Sequence, residues 1–434
     1  MNIDEIIDNI DSNNLNIAFG RVVNISAVTL TAVGLDVAVG DIVRIESVQK
    51  LYTVLGMVTV LNDDMFVIVP FSFIDGFKIN DKVFLQRDGL TIKCGNGLLG
   101  RVVNALGEPI DDLGKIRDLD TNAPINKESM SPLDRGIIDQ KFATGVKAID
   151  SMLTCGKGQK VGIFAGSGVG KSTLMGMIVQ GCEATIKVIA LVGERGREIP
   201  EFIHYNLNNN LENTVIVTAT SDESPLMRKY AAFTAMSIAE YFRDKGHDVL
   251  LMMDSVTRFA MAQREIGLST GEPPVSRGYP PSVFALLPQL MERAGNSKKG
   301  SITAFFTVLV DGDDLNDPIA DQSRSILDGH IVLTRDLTEQ GFYPPINILK
   351  SASRVIDKVV TKEHYNDFLK FKRVLSLIKE NEVLIRVGAY KKGMDLELDS
   401  AIAKKEKARE FLTQGTLEKY SFDEIVANLR KVLI

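Results

Sequence analysis

The stretch that most limits what this chain can become is Ala165-Gly166-Ser167-Gly168-Val169-Gly170-Lys171-Ser172-Thr173. It follows the apolar run Val161-Gly162-Ile163-Phe164 and precedes Leu174-Met175-Gly176-Met177-Ile178-Val179. The first run reads as a buried strand, the second as a helix packed on a sheet. The turn between them fits G-x-x-x-x-G-K-[ST], with Ala165 at the first position. Its glycines let backbone N–H groups turn inward, and the helix N-terminus adds the positive end of its dipole. Such a cradle holds phosphate oxygens. Lys171 then reaches β- and γ-phosphates, and the Ser172 hydroxyl faces Mg²⁺, so ATP and Mg²⁺ are the expected ligands. Gly166, Ser167, Gly168, Val169, Gly170, Lys171, Ser172 and Thr173 are the candidate nucleotide-binding residues. Ala165 in place of glycine costs little where φ stays negative.

A chain of 434 residues exceeds one ordinary core and predicts two or three domains. Residues 1–17 form a short amphipathic arm, with Ile3, Ile6, Ile7 and Ile10 at helical spacing between acidic residues. A helix this short is marginal alone and is expected to dock on a partner or on its own body. Residues 18–90 carry short β-rich runs, among them Arg21–Val23, Val28–Leu30, Val37–Val39, Ile42–Ile45, Tyr52–Leu55 and Met65–Val69. Turn residues separate them, which predicts a small closed β-barrel. Residues 91–358 alternate strand and helix. The buried strands expected there are Val161–Phe164, Val188–Val192, Val215–Val217, Val249–Met253, Ile302–Phe306 and Ile331–Leu333. Near-continuous apolar runs mean a mostly parallel sheet covered on both faces, with ligands at the carboxyl ends of its strands. Residues 359–434 read as helical throughout, with His364–Ile385 as one helical run and a capping-box signal at Ser421–Glu424.

Fifty basic against 56 acidic residues give a net charge of −6. Residues 1–90 alone hold twelve acidic and six basic residues, also a net of −6. That balance argues against a phosphate-tracking nucleic-acid groove on the barrel. Cys94, Cys155 and Cys182 lie far apart and fit no metal or disulfide pattern, which suits a reduced, cytosolic protein. The four histidines share no ligand spacing and read as structural.

Two further elements carry chemistry. Asp254 ends the run Val249–Met253, at the carboxyl tip of a strand, where such a carboxylate helps hold Mg²⁺. Gly193-Glu194-Arg195-Gly196-Arg197-Glu198 follows the run Val188–Val192. Glu194 at that tip is placed to orient and polarise a water for in-line attack on a γ-phosphate.

With these stretches the chain resembles the ATPase family that includes the α and β subunits of rotary ATP synthases, over essentially its whole length. Gly156-Lys157-Gly158-Gln159 before the phosphate loop, Gly193-Glu194-Arg195, and Pro344-Pro345-Ile346-Asn347-Ile348-Leu349-Lys350-Ser351-Ala352-Ser353 carry the likeness. Gly271-Glu272-Pro273-Pro274, Met291–Gly295 and Asp317–Asp321 resemble the type III secretion branch, and Arg386–Gly393 resembles flagellar export ATPases. The resemblance implies a RecA-like P-loop core with a parallel sheet, an N-terminal β-barrel and a C-terminal helical domain, an α/β fold. It implies that Glu194 is the catalytic glutamate, that Arg195 and Arg258 lie near the γ-phosphate, and that Asp254 is the Walker B aspartate. It also implies that Tyr343 stacks on adenine and that Arg354 is a finger reaching a neighbouring copy's site. The implied protein is a homohexameric ATPase that energises flagellar type III export, in the cytoplasm and peripherally at the inner membrane. Its implied partners are a regulator on the N-terminal arm, a central stalk protein, chaperone–substrate complexes and the membrane export gate, with no nucleic acid. Ser376–Glu382 is mixed in sign and lacks the acidic run of the synthase β subunit, so coupling to a stalk is expected to differ. The rivals are an injectisome ATPase, a rotary synthase subunit, a Rho-like RNA translocase and a nucleotide-binding subunit without turnover.

Overall fold

In a computed structural model of the chain, residues 18–47, 52–87, 89–310, 314 and 316–434 are described. The arm expected over residues 1–17 lies outside them. The chain divides into two units. One runs to Thr91 and also takes in Glu223–Met227 and Ala262–Ser282; the other comprises Ile92–Asp222, Arg228–Met261 and Val283–Ile434.

The first unit is built on six strands, β1 (Gly20–Ile25), β2 (Leu30–Val33), β3 (Ile42–Glu46), β4 (Thr53–Asn62), β5 (Met65–Pro70) and β6 (Lys82–Gln86). They close into an antiparallel barrel in the order β1-β2-β5-β4-β3-β6, with β6 pairing back to β1. Alternate residues point inward and fill it: Val22, Leu30, Ala32, Val43, Ile45, Val58, Phe66, Ile68 and Val83 are buried together. Two details differ from the sequence reading. Val37–Val39 forms no strand, because the Asp41 carboxylate accepts the Ala38 N–H at 2.8 Å and holds that stretch in a turn. The closing strand β6 stands outside the runs singled out above; it offers only three apolar residues, Val83–Leu85, between Lys82 and Gln86.

The second unit contains a nine-stranded sheet. Its main strands are β7 (Val102–Val103), β8 (Lys160–Ala165), β9 (Ile186–Glu194), β10 (Thr214–Thr220), β11 (Asp248–Asp254), β12 (Ser301–Leu309), β13 (Gly329–Val332) and β14 (Ala352–Ser353). They lie in the order β14-β13-β8-β12-β11-β9-β10-β7, and a two-residue strand, Gly295–Asn296, pairs with β12. All neighbours from β13 to β7 are parallel, while β14 runs antiparallel to β13. All six residues of β8 are buried, as expected of a strand covered on both faces. Each of the six apolar runs named from the sequence falls in this sheet.

The helices that matter below are α1 (Lys171–Gly181), α2 (Pro318–Ile326), α3 (Arg335–Glu339), α4 (Lys362–Glu380), α5 (Leu396–Leu412) and α6 (Phe422–Leu433). α4 stops earlier than the apolar pattern suggests. Asn381 donates its side-chain amide to Leu377 O at 2.9 Å, competing for a helix carbonyl, and Glu382–Arg386 resumes as a separate short helix. Ser421 and Glu424 form the expected capping box, each capping the other's backbone. Phe371 of α4 meets Phe411 of α5 edge-on, with ring centroids 5.7 Å apart, and both belong to the same core cluster as β8 and α1. Among the described residues no helix is long and apolar enough to cross a membrane.

Candidate active site

Parallel strands carry their carboxyl ends to one edge of the sheet, and three of those ends matter. β8 runs into the glycine-rich loop, β9 ends at Glu194 and β11 ends at Asp254. Leu191 of β9 pairs with Asp254 of β11, so Glu194 continues three residues past that level.

The loop from Gly166 to Gly170 turns on two glycines with positive φ, Gly168 at 76° and Gly170 at 92°. Gly170 is the N-cap of α1, so a side chain there would be strained where the helix begins. Ala165 is the last residue of β8 and stays extended, which is why alanine serves at that position. Val169 is buried and anchors the loop, while Ser167, Gly168, Ser172 and Thr173 are exposed. Neighbouring side chains brace it. Arg335 of α3 donates to Ser167 O at 3.3 Å, Thr338 donates to Val169 O at 3.5 Å, and Asn206 donates to Ser172 O at 3.0 Å.

Lys171 is where the three strand ends meet. Its Nζ lies 2.5 Å from Asp254 Oδ1 and 3.6 Å from Glu194 Oε1. Burial pulls the Lys171 pKa down, but the two carboxylates outweigh it and hold the ammonium above its ordinary value. The Glu194 carboxyl is pushed up to about 7, by burial first and then by the negative charge of Asp254; Lys171 opposes this only in part. A carboxyl with a pKa near neutrality, at a strand end beside a phosphate loop, suits a general base.

Gly193 precedes Glu194 with φ at 68°, and a Cβ there would lie 3.0 Å from Arg258 Cβ. Its lack of a side chain is what lets Arg258 pack against the end of β9. Arg258 Nε is buried without a hydrogen-bond partner among the described residues. An anionic group beside it would satisfy that donor, so the pocket's donors fit a polyphosphate. The fit to Mg²⁺ is of the usual kind for a phosphate-bound ion: one carboxylate, Asp254, and one exposed hydroxyl, Ser172, with no cage of three or more acidic or histidine side chains among the described residues.

The structure brings Lys171, Glu194, Asp254 and Arg258 together but not every candidate. Arg195 is exposed and turns to Glu198, 3.4 Å away, because the chain leaves β9 immediately after Glu194. Tyr343 is 44% exposed in the turn after α3. That turn lies beside the loop, since a Cβ on Gly170 would stand 3.9 Å from Pro345 Cδ. The buried ring in this turn is Phe342, which leaves Tyr343 free to meet a flat ligand.

Arg354 lies elsewhere. It follows β14, whose Ser353 pairs with Gly329, which in turn pairs with Val161 at the start of β8. Its backbone N–H donates to Asp328 O at 3.0 Å, and its exposed guanidinium touches Arg324 O at 3.4 Å. At about 3.3 Å per residue, the length of β8 separates this arginine from its own phosphate loop by roughly 17 Å.

One site residue escaped the sequence reading. Thr307 of β12 donates its hydroxyl to Asp254 Oδ1 at 2.6 Å, the same oxygen that Lys171 meets. Its signal was a polar residue inside the apolar run Ile302–Val308.

Comparison with known proteins places the chain in a family. Residues 145–353 match the nucleotide-binding domain of the ATP synthase alpha/beta family, and residues 360–431 match the T3SS EscN ATPase C-terminal domain. A flagellum-specific ATP synthase of Helicobacter pylori is 58% identical over 416 residues, 96% of this chain and 95% of that one. A flagellum-specific ATP synthase of Bacillus subtilis is 46% identical, covering 99% and 98%. A type 3 secretion system ATPase of Xanthomonas euvesicatoria is 43% identical, covering 95% and 94%. The solved structure of the assembled ATPase EscN from the enteropathogenic E. coli type III secretion system is 46% identical. It superposes with a TM-score of 0.91 over 96% of this chain and 100% of that one. The chain therefore belongs to the ATP synthase alpha/beta family, as an ATPase of the branch that holds the flagellum-specific ATP synthases and type III secretion ATPases.

Proposed function

We propose that this chain is the ATPase of a flagellar type III export apparatus, working as a homohexameric ring in which each copy completes its neighbour's site. The observation that carries the ring is the placement of Arg354. It sits at the opposite end of β8 from the loop that holds phosphate, out of reach of its own site. An arginine so placed serves a second copy, and identical head-to-tail contacts close into a ring. The flagellar assignment is supported by the flagellum-specific relative at 58% identity, while the type III secretion ATPases named above stand at 43% and 46%.

The residues divide the work. The amide cradle from Gly166 to Thr173 and the Lys171 ammonium bind the β- and γ-phosphate oxygens, and Tyr343 stacks on the adenine. Mg²⁺, when bound by Ser172 and Asp254, neutralises charge on those oxygens. Glu194 takes the proton of the attacking water at its carboxylate, and its value of about 7 leaves roughly half of it ionised and able to act as a base at neutral pH. Arg258 faces the charge that develops on the γ-phosphate, and Arg195 joins it by swinging away from Glu198. Arg354 of the next copy completes the set, a role worth roughly 10³–10⁵ in rate in other NTPases.

Other parts of the reading follow the family. Residues 1–17, 18–90, 91–358 and 359–434 act as regulator-binding arm, barrel, ATPase core and helical domain. The solved EscN complex contains its central stalk EscO, and a stalk protein of that kind is the proposed partner of this ring. Chaperone-bound export substrates and the membrane export gate are the remaining proposed partners, which places the ring in the cytoplasm against the inner membrane.

The test is complementation. Arg354→Ala and Lys171→Ala chains, each inactive alone, are mixed in varying ratio. Mixed rings contain interfaces with an intact loop on one side and an intact arginine on the other, so ATP hydrolysis returns and peaks at intermediate ratios. Mixed assembly without any recovery overturns the ring-sharing reading.

A further inference from the structure

Gln159 is fully buried immediately before β8, in a stretch that the chemistry above leaves without a role. Its side chain makes three hydrogen bonds. Oε1 accepts the Gly156 N–H at 2.9 Å, and Nε2 donates to Asp328 O at 3.0 Å and to Ser353 Oγ at 3.3 Å. Ser353 Oγ donates onward to Thr154 O at 2.9 Å. Asp328 O is the same carbonyl that accepts the backbone N–H of Arg354. Lys160, the next residue, fixes Asp328 further: its N–H donates to Asp328 Oδ2 at 3.1 Å, and its carbonyl accepts the Asp328 N–H at 2.9 Å.

We propose that Gln159 is a positioning residue for Arg354, holding the arginine's backbone through Asp328 and Ser353 so that the guanidinium meets the neighbouring copy's site in register. The chemistry of the amide suits the task. It supplies one acceptor and two donors in a fixed plane, and all three are used inside a buried pocket where each loss is felt. β8 keeps the two ends apart. Its first residues grip the arginine's segment, and its last residue opens into the phosphate loop of the same copy. A shift of about 1 Å at a group that must meet a transition state costs on the order of 10²-fold in rate, so a loosened backbone at Arg354 reads out as lost turnover. The proposal rests on the ring-sharing reading of Arg354, and its test is arranged to fail separately from it.

The test uses Gln159→Met in the full chain, which keeps the volume and removes all three hydrogen bonds. The expected result is a drop in kcat of at least about tenfold, with KM for ATP within about twofold and ring assembly kept, since the loop of the same copy is untouched. Mixing this variant with Lys171→Ala chains then restores hydrolysis, because its sound loop meets a sound arginine from the other chain. The Arg354→Ala mixture runs beside it. Recovery there without recovery for Gln159→Met overturns the positioning role and leaves the ring reading standing; recovery in neither overturns both. Full activity of Gln159→Met alone also overturns the role. Should that variant fail to fold, Ser353→Ala, which removes one link and leaves Gln159 its other two partners, carries the same comparison.

Discussion

Lys171 and Asp254, 83 residues apart in sequence, meet with Nζ 2.5 Å from Oδ1, although β12 lies between β11, which ends at Asp254, and β8, which leads into the loop before Lys171. The intervening strand contributes as well, because Thr307 on β12 donates to the same Asp254 oxygen. Thr307→Val keeps the shape and removes that donor. Loss of one hydrogen bond of roughly 1 kcal/mol predicts about a fivefold fall in kcat, read by steady-state phosphate release. An unchanged rate would separate Thr307 from the chemistry of Asp254.

Glu194→Gln preserves volume and removes the carboxylate proposed as the base. ATP binding, followed with a fluorescent nucleotide, should stay within a few-fold, while hydrolysis falls by about 10²–10⁴. Normal turnover in this variant would remove Glu194 from the reaction.

The same carboxyl makes two pH predictions. In the wild-type chain kcat/KM should rise with pH through about 7, as the base loses its proton. Stability moves the other way. The folded chain, with Glu194 raised from 4.5 to about 7, binds more protons than the unfolded chain between those values. The contribution of this group to stability is therefore fully present below the lower value and lost as pH rises through the upper one. Without nucleotide, Glu194→Gln should raise Tm more at pH 8 than at pH 5; the groups facing it, Lys171, Asp254 and Glu198, are unchanged. An equal gain at both pH values would contradict the raised carboxyl.

Tyr343→Ala should raise KM for ATP about tenfold with kcat nearly unchanged, the loss expected for one base stacked on an aromatic ring. Tyr343→Phe should restore the wild-type KM, since the ring and not the hydroxyl is used. A fall in kcat alone would place the tyrosine in packing instead.

Much of this was legible in the chain. Six apolar runs located six strands of the sheet because a strand buried on both faces has no polar period to disguise it. The glycine-rich loop, Lys171, Glu194 and Asp254 were readable because each follows directly on such a run. The barrel was less clear. Val37–Val39 has strand composition, yet one Asp41 hydrogen bond turns it aside, and the apolar run of β6 is only three residues long between Lys82 and Gln86.

What sequence alone determined, then, is local: which segments are strands, and which side chains stand at their ends. Tertiary structure decided the rest. Strand order put Thr307 against Asp254, the turn after β9 sent Arg195 to Glu198, and the antiparallel β14 carried Arg354 to the far edge of the sheet from its own phosphate loop. The physical reason is that these placements depend on hydrogen bonds between strands far apart in the chain, and no neighbouring residue encodes which strand lies next to which.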